Sequence, residues 1–421
     1  MMKKVVIIGG GFGGLAAAKD LAGSKYDITI IDKSNHHLFQ PLLYQVAAAA
    51  LSPGDIASPI RSVFGNKKNV NVIMAEVTSI DKLNRKVLFN NSSLSFDYLI
   101  IAAGNRHSYF GNDGWEKYAP GLKTLNDALK IRENVLLSLE AAERIEDPEQ
   151  REKYLNFVVV GGGPTGVELA GAIAEIVNRN FIKDFKNINS KMTKVYLVEA
   201  MPRLLQAFPE KLSARALKEL KYLEVEVIFN KRVTGIYENC VMLGDEKIIT
   251  NNIIWAAGNR ASPILKTLDI ELDKSGRGIV NSDLSIKDYP DIFIIGDAAA
   301  FEDSDGKFLP ELAPVAMQQG KYVARIISKE LKGKDRKKFK YHDKGALATI
   351  RKGKSIAVIK GLKLSGLVAW LTWSFVHIMY LINYRNRIRV MAEWIWYFIT
   401  NRPGIRLIVK KSNKELNQWL V

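Results

Sequence analysis

Cysteine is almost missing from this chain: Cys240 is the single one among 421 residues. One thiol excludes a disulfide framework, a Cys-x-x-Cys redox pair and any thiolate-rich metal site. Electrons, if the protein moves them, must pass through a bound cofactor. The five histidines, His36, His37, His107, His342 and His377, show no ligand spacing on a helix or across a hairpin. They read as loop or packing residues, and no metal is expected. Nor is a secretory leader expected. "MMKKVVIIGGGFGG" has Lys3 and Lys4 before a short apolar run that ends in glycines, without the length or cleavage site of a signal. It reads as the first strand of a cytoplasmic protein.

Acidic residues are the scarcer charge, 44 against 61 basic ones, a net of +17. Such an excess invites nucleic acid, an anionic membrane or an acidic substrate. Its distribution discriminates, because the basic residues crowd the C-terminal quarter. They lie in "KGKDRKKFKYHDK" (Lys332 to Lys344) and at Lys360, Lys363, Arg385, Arg387 and Arg389. Trp370, Trp373, Trp394, Trp396 and Trp419, five of the seven tryptophans, lie there too.

Two internal repeats organise a chain whose 47% apolar content can bury two or three cores. "VVIIGGGFGGLAAAKDLA" (Val5 to Ala22) recurs as "VVVGGGPTGVELAGAIA" (Val158 to Ala174). Both have the order strand, Gly-x-Gly-x-x-Gly, helix, and a second strand follows each and ends in an acid, Asp32 or Glu199. Gly9 or Gly161 makes the tight turn, Gly11 or Gly163 lets backbone amides approach a pyrophosphate, and Gly14 or Gly166 permits close helix packing. The diphosphate then sits on the positive end of the helix. A carboxylate at the end of the second strand accepts from ribose hydroxyls and repels a 2′-phosphate. Glu199 therefore favours NADH over NADPH, while Arg203 nearby argues the other way. Two dinucleotides are expected.

The second repeat pairs "YLIIAAGNRHS" (Tyr98 to Ser108) with "NIIWAAGNRAS" (Asn252 to Ser262). Gly104 and Gly258 would let backbone pass close to a ligand or to a crossing between domains. The fold class is therefore α/β, with two Rossmann-like dinucleotide-binding domains, the second inserted in the first. Residues near 1–115 and 265–330 would form the first domain and 150–260 the insert. The polar stretch from Asp127 to Tyr154 would bridge them as a helix. A basic linker then leads into a C-terminal helical region, 331–421, expected on a membrane surface.

These residues resemble the two-dinucleotide-binding flavoproteins, and within them the type II NADH dehydrogenases, single-chain NADH:quinone oxidoreductases without iron–sulfur clusters. The resemblance runs over nearly the whole chain. It rests on "FQPLLYQVA" (Phe39 to Ala47), "GGGPTGVELAG" (Gly161 to Gly171), "IIGDAA" (Ile294 to Ala299), "LAPVAMQQG" (Leu312 to Gly320) and "GLVAWLTWSFVHIMYLINYRNR" (Gly366 to Arg387). It implies that Gly9, Gly11, Gly14 and Asp32 hold the adenosine diphosphate of FAD, with Asp297 on the ribityl chain and Val77 beside the adenine. Gly163, Thr165, Gly166 and Glu199 would hold NADH, and Glu168 would stand near the nicotinamide. The alternative for Glu168 is a carboxylate stabilised by the helix N-terminus. Gln40, Pro41 and Tyr44 would cover the flavin.

In the family, the segment Ala-Gln-x-Ala-x-Gln lies beside the flavin ring where quinone approaches. Here Pro314 stands in place of the first glutamine, and Gln318 keeps the second. Gln319 could contribute or be a surface residue. The implied partners are a membrane quinone, menaquinone or ubiquinone, and an anionic membrane surface, with a homodimer conceivable and no nucleic acid. The implied location is the cytoplasmic face of the cell membrane.

Read as a helix, Trp370, Trp373, His377, Tyr380 and Tyr384 form an aromatic stripe. Trp394, Trp396, Tyr397 and Phe398 make a second cluster. Rings and arginines interleaved with aliphatics suit the headgroup boundary. Core or dimer packing and a true span are the rival readings. Other enzymes of this fold remain to be separated. A disulfide reductase or sulfide:quinone oxidoreductase needs a cysteine pair. A reductase of ferredoxin or rubredoxin stays open, as does a flavin-bearing membrane or nucleic-acid binding protein.

Overall fold

The computed structural model describes residues 2–401 and 404–408, and Trp419 lies outside them. The helices used below are α1 (Phe12–Leu21), α2 (Leu125–Arg144), α3 (Pro164–Glu175), α4 (Ala313–Ser328), α5 (Leu367–Tyr380) and α6 (Tyr384–Thr400). The strands are β1 (Lys4–Ile8), β2 (Asp27–Asp32), β3 (Asn156–Val160) and β4 (Lys194–Val198). The chain divides into two compact units.

The first unit comprises Met1–Leu38, Ala57–Arg106 and Asn259–Lys344. Its six-stranded sheet runs Ser285–Ile286, Tyr289–Ile294, Tyr98–Ile101, β1, β2 and Val70–Met74. β1 pairs in parallel with β2 on one side and with Tyr98–Ile101 on the other. Val5, Val6, Ile7, Ile28, Ile30 and Ile31 are buried, as a strand covered on both faces requires. The strand order reverses across β1, so the switch point falls where β1 runs into Gly9. α1 packs against α4. Small residues make that contact backbone-close, since a Cβ on Gly320 would lie 2.3 Å from the Gly13 carbonyl oxygen.

The basic run expected to be a linker is folded onto this unit. Phe339 is buried, its ring 5.4 Å from those of Phe301 and Tyr322. Arg336 donates to Asp283 Oδ2 at 3.0 Å and to the Pro290 carbonyl at 2.6 Å.

The second unit comprises Phe39–Ile56, His107–Gly258 and Gly345–Val421. Its parallel sheet runs Val225–Ile228, β4, β3 and Asn252–Trp255, with the switch point at the end of β3. The stretch expected as one bridging helix is two helices. α2 opens with a capping box between Thr124 and Asp127. Pro148 starts the next helix (Pro148–Leu155) behind its N-cap Asp147, because proline suits a first turn and not a helix interior. Nor does the pair read as a polar bridge. Ile131, Val135, Leu139 and Ala142 are buried, and Ser138 donates to Asn252 at 2.8 Å within this unit.

The C-terminal region, expected to be helical, begins with an antiparallel sheet of Ala346–Arg351, Lys354–Ile359 and Leu362–Gly366. It packs on α3 at Gly171, where a Cβ would lie 1.9 Å from the Ile350 carbonyl oxygen. α5 and α6 follow. Among the described residues no helix is long and apolar enough to cross a membrane.

Both helices are apolar on two sides. Val368, Leu371, Phe375 and Met379 on α5, and Ile388, Met391, Ile395 and Ile399 on α6, are exposed at helical spacing. The tryptophans divide. Trp396 is 59% exposed and Trp370 partly buried, but Trp373 and Trp394 are 1% and 9% exposed, their rings 5.2 Å apart. Trp373 also stacks on His377 at 4.2 Å. The expectation that Trp373 and Trp394 face a membrane is therefore corrected: they form the inner seam, and mostly aliphatic side chains make the outer face.

Candidate functional site

The two glycine loops have the same geometry. Gly9 and Gly161 adopt φ of +99° and +111°, a region that favours glycine. A Cβ on Gly14 would lie 1.9 Å from the Gly9 carbonyl oxygen, and one on Gly166 would lie 1.8 Å from that of Gly161. Each helix can thus sit against its strand only with glycine there. A Cβ on Gly11 or Gly163 would meet nothing within 4 Å. Those two positions leave open space beside the starts of α1 and α3, and neither helix has a side-chain cap. A helix end without a cap leaves first-turn amides and the positive dipole end for an anion.

The carboxylates that end the second strands are tethered to their loops. Asp32 Oδ2 accepts the Gly10 amide at 2.6 Å and Oδ1 the Ser34 amide at 2.7 Å. Glu199 Oε2 accepts the Gly162 amide at 2.5 Å and Oε1 the Met201 amide at 2.7 Å. Each oxygen keeps a second lone pair for a ribose hydroxyl. The Arg203 guanidinium donates to the carbonyls of Phe208 and Gln206 and to Ser213. Thr165 lies exposed in the first turn of α3.

The remaining sequence-selected residues of the first unit fall in loops or at strand starts. Val77 opens the strand Val77–Asp81, and Asp297 sits in the turn after Gly296, whose φ is +67°. Gly104 and Gly258 also have positive φ, +65° and +71°. Their neighbours Asn105 and Asn259 both donate to Glu311 Oε2, at 2.6 and 2.8 Å. Repetition of Gly-Asn was visible in sequence, but nothing pointed to Glu311 as the shared acceptor. His37, expected to be a loop or packing residue, is buried with its ring 5.0 Å from that of Phe12. Its Nδ1 lies 3.0 Å from the Gly10 carbonyl oxygen, burial pushes its pKa down to about 4, and its buried Nε2 has no partner. A glycine cradle open at Gly11, an uncapped α1 and a tethered Asp32 fit the diphosphate and ribose of FAD.

At α4, Gln319 is not a surface residue: it is buried, and its Oε1 accepts the Gly296 amide at 2.6 Å. Gln318 spends both ends of its amide on the backbone of His342, at 2.9 and 3.0 Å. Pro314 stands partly buried in the first turn of α4. In the second unit, Gln40 donates to the Lys123 carbonyl at 3.1 Å, and Tyr44 is buried.

Glu168 is the fifth residue of α3. Burial raises its pKa to about 8, partly offset by the Thr349 amide, which donates to it at 3.3 Å. A carboxylate stabilised by a helix N-terminus would shift downward, opposite to the direction burial gives here. Glu168 lines a cavity of about 70 Å³ together with Tyr44, Glu175, Thr349, Trp373 and Tyr397. Among the described residues no cluster could hold a metal ion.

Comparison with known proteins places this geometry. The pyridine nucleotide-disulphide oxidoreductase family model matches residues 3–320. The chain is 41% identical to the type II NADH:quinone oxidoreductase Ndh of Mycobacterium tuberculosis, covering 95% of this chain and 89% of that one. It is 30% identical to the type II NADH:quinone oxidoreductase of Staphylococcus saprophyticus, covering 86% and 91%. Its fold matches that of NDH2 from Plasmodium falciparum, solved in complex with NADH, with a TM-score of 0.89 at 22% identity over 97% of this chain and 100% of that one. The chain belongs to the pyridine nucleotide-disulphide oxidoreductase family and, within it, to the type II NADH:quinone oxidoreductases.

Proposed function

We propose that this protein oxidises NADH and reduces a membrane quinone, using FAD held by the first unit. The observation that carries the reading is the duplicated loop: two glycine cradles open at Gly11 and Gly163, each with a carboxylate tethered to it. The chemistry FAD supplies when bound is two-electron exchange, accepting a hydride equivalent and releasing electrons. Gly9, Gly11, Gly14 and Asp32 would hold its adenosine diphosphate, with Val77 at the adenine, Gly104 at the crossing and Asp297 at the ribityl chain. Gln319 bolts α4 to the Gly296 turn that carries Asp297. Gly163, Thr165, Gly166 and Glu199 would bind NADH, with Gly258 at the matching crossing. Glu199 selects against a 2′-phosphate without opposition from the occupied Arg203.

Glu168 is the residue we assign to proton handling near the reacting rings, since burial keeps it protonated at neutral pH. Pro314 and the backbone-locked Gln318 shape the quinone side, and Gln318 acts by fixing the chain at His342. The outer stripes of α5 and α6 would lie on the cytoplasmic membrane surface, with exposed Arg385 and Arg389 meeting anionic headgroups. The test is NADH oxidation by the flavin-loaded protein with and without a short-chain quinone, with NADPH as control. Turnover that depends on quinone and prefers NADH supports the reading. Flavin reduction without reoxidation by quinone would favour a protein acceptor instead.

A further inference from the structure

α3 carries a second carboxylate on the face that bears Glu168. Glu168, Ala172 and Glu175 recur at i, i+4 and i+7 and all line the same cavity. The two carboxyl groups are two helical turns apart, roughly 10 Å along the axis. Between them the helix offers only the methyl of Ala172. The cavity's volume, about 70 Å³, is several times the roughly 10–15 Å³ one water needs. Its wall includes Trp373, whose buried indole Nε1–H has no hydrogen-bond partner among the described residues, and the hydroxyl-bearing Tyr44 and Thr349.

The charged groups around Glu175 are turned elsewhere. Arg351 binds Glu219 at 2.7 Å. The Lys352 ammonium donates to the carbonyls of Tyr397 and Phe398 and to Asn401 at the end of α6. Glu175 instead accepts from two neutral donors, the Lys352 amide at 3.1 Å and the Tyr397 hydroxyl at 3.3 Å. Asn180, in the π-turn that follows α3, donates to the Tyr397 oxygen at 3.1 Å and so directs the phenolic proton at Glu175. Glu168 and Tyr44 complete the titratable groups on this cavity. Burial raises the pKa of Glu175; the hydrogen bonds from the Lys352 amide and the Tyr397 hydroxyl oppose this most, and the charges of Arg351 and Lys352 less. A carboxyl group held by neutral donors beside a water-sized space can both keep a proton and release it.

We propose that Glu175 is a proton carrier for quinol formation, exchanging protons with Glu168 through the cavity both line, and that Tyr397 positions it. This rests on the quinone-reductase reading above. NADH delivers two electrons and one proton as hydride, whereas quinone takes two electrons and two protons, so each turnover draws one proton from the medium. Glu175 would give that proton up as the acid and recover it from water as the carboxylate. A purely structural role would make Glu175 an anchor for α6 and leave the pH response of reoxidation unmoved; glutamine keeps an acceptor for only one of the two donors, because its Nε2 donates.

The experiment uses the full-length, FAD-loaded protein in vesicles containing quinone. In E175Q, flavin reduction by NADH should match wild type, while reoxidation by quinone should slow at least ~10-fold at alkaline pH and respond to pH differently. The carboxylic-acid carbonyl band in the infrared spectrum of the resting protein should weaken by the share of one group. Y397F, which leaves the carboxyl in place, should shift both the band and the pH response, and it serves if E175Q does not fold. Wild-type reoxidation and an unchanged band in these variants would overturn the proposal. If wild-type flavin is itself not reoxidised by quinone, the functional reading falls and takes this inference with it.

Discussion

Trp394 donates its indole N–H to Gln45 Oε1 across 2.7 Å. Gln45 in turn donates to the Tyr44 hydroxyl at 2.8 Å, so the inner face of α6 is bonded to the segment beside the Glu168 cavity. The outer faces of α5 and α6 stand exposed at Phe375, Ile395 and Ile399 among the described residues. The two faces should therefore fail differently. W394F leaves the Gln45 oxygen without its donor and should cost about 1–3 kcal/mol of stability, read as a lower melting temperature. F375D with I395D should leave melting nearly unchanged and abolish binding to anionic vesicles in sedimentation.

The glycines of the NADH loop should separate ligand space from packing space. G166A drives a Cβ into the Gly161 carbonyl and should destabilise the second unit. G163A meets nothing in the protein, so its melting temperature should hold while the KM for NADH rises at least ~10-fold. Thermal melts and steady-state kinetics on the two variants distinguish these outcomes.

Nucleotide choice should depend on Glu199 and not on Arg203. Replacing Glu199 with alanine removes the repulsion toward a 2′-phosphate and the ribose acceptor together. The ratio of kcat/KM for NADH over NADPH should fall by at least ~10-fold. R203A should leave that ratio within about twofold and instead lower stability, since its guanidinium closes the 203–213 segment.

The raised pKa of Glu168 makes stability pH-dependent with a definite sign. The folded protein holds this proton up to about pH 8, whereas the unfolded chain releases it near 4.5. The folded state therefore binds more protons between those values, and its stability falls as pH rises through that window. E168Q removes the titration. Its melting temperature should decline less than that of wild type between pH 5 and 8, as measured by calorimetry.

The parts of this account that were legible in sequence are those where backbone geometry dictates residue type. Gly14 and Gly166 are forced by carbonyl contacts under 2 Å, and Asp32 and Glu199 by their place at strand ends. Pairwise tertiary contacts were not legible. The aromatic period of α5 and α6 could not say which side faces inward, because both sides are apolar, and so Trp373 and Trp394 were placed on the wrong one. The partners of Arg203, the carbonyls of Phe208 and Gln206 and the Ser213 hydroxyl, were not readable from its place in sequence either. Gln319 and Glu311 act through acceptor contacts 23 or more residues away in sequence, which no local pattern records. The sheet of Ala346–Gly366 was masked by the basic and aromatic composition around it.

The most direct test of the central claim is anaerobic stopped-flow absorbance of the flavin-loaded protein, mixed first with NADH and then with a quinone. NADH should bleach the flavin, and quinone addition should restore it fully, at rates that match steady-state turnover. Bleaching that persists in the presence of quinone would contradict it.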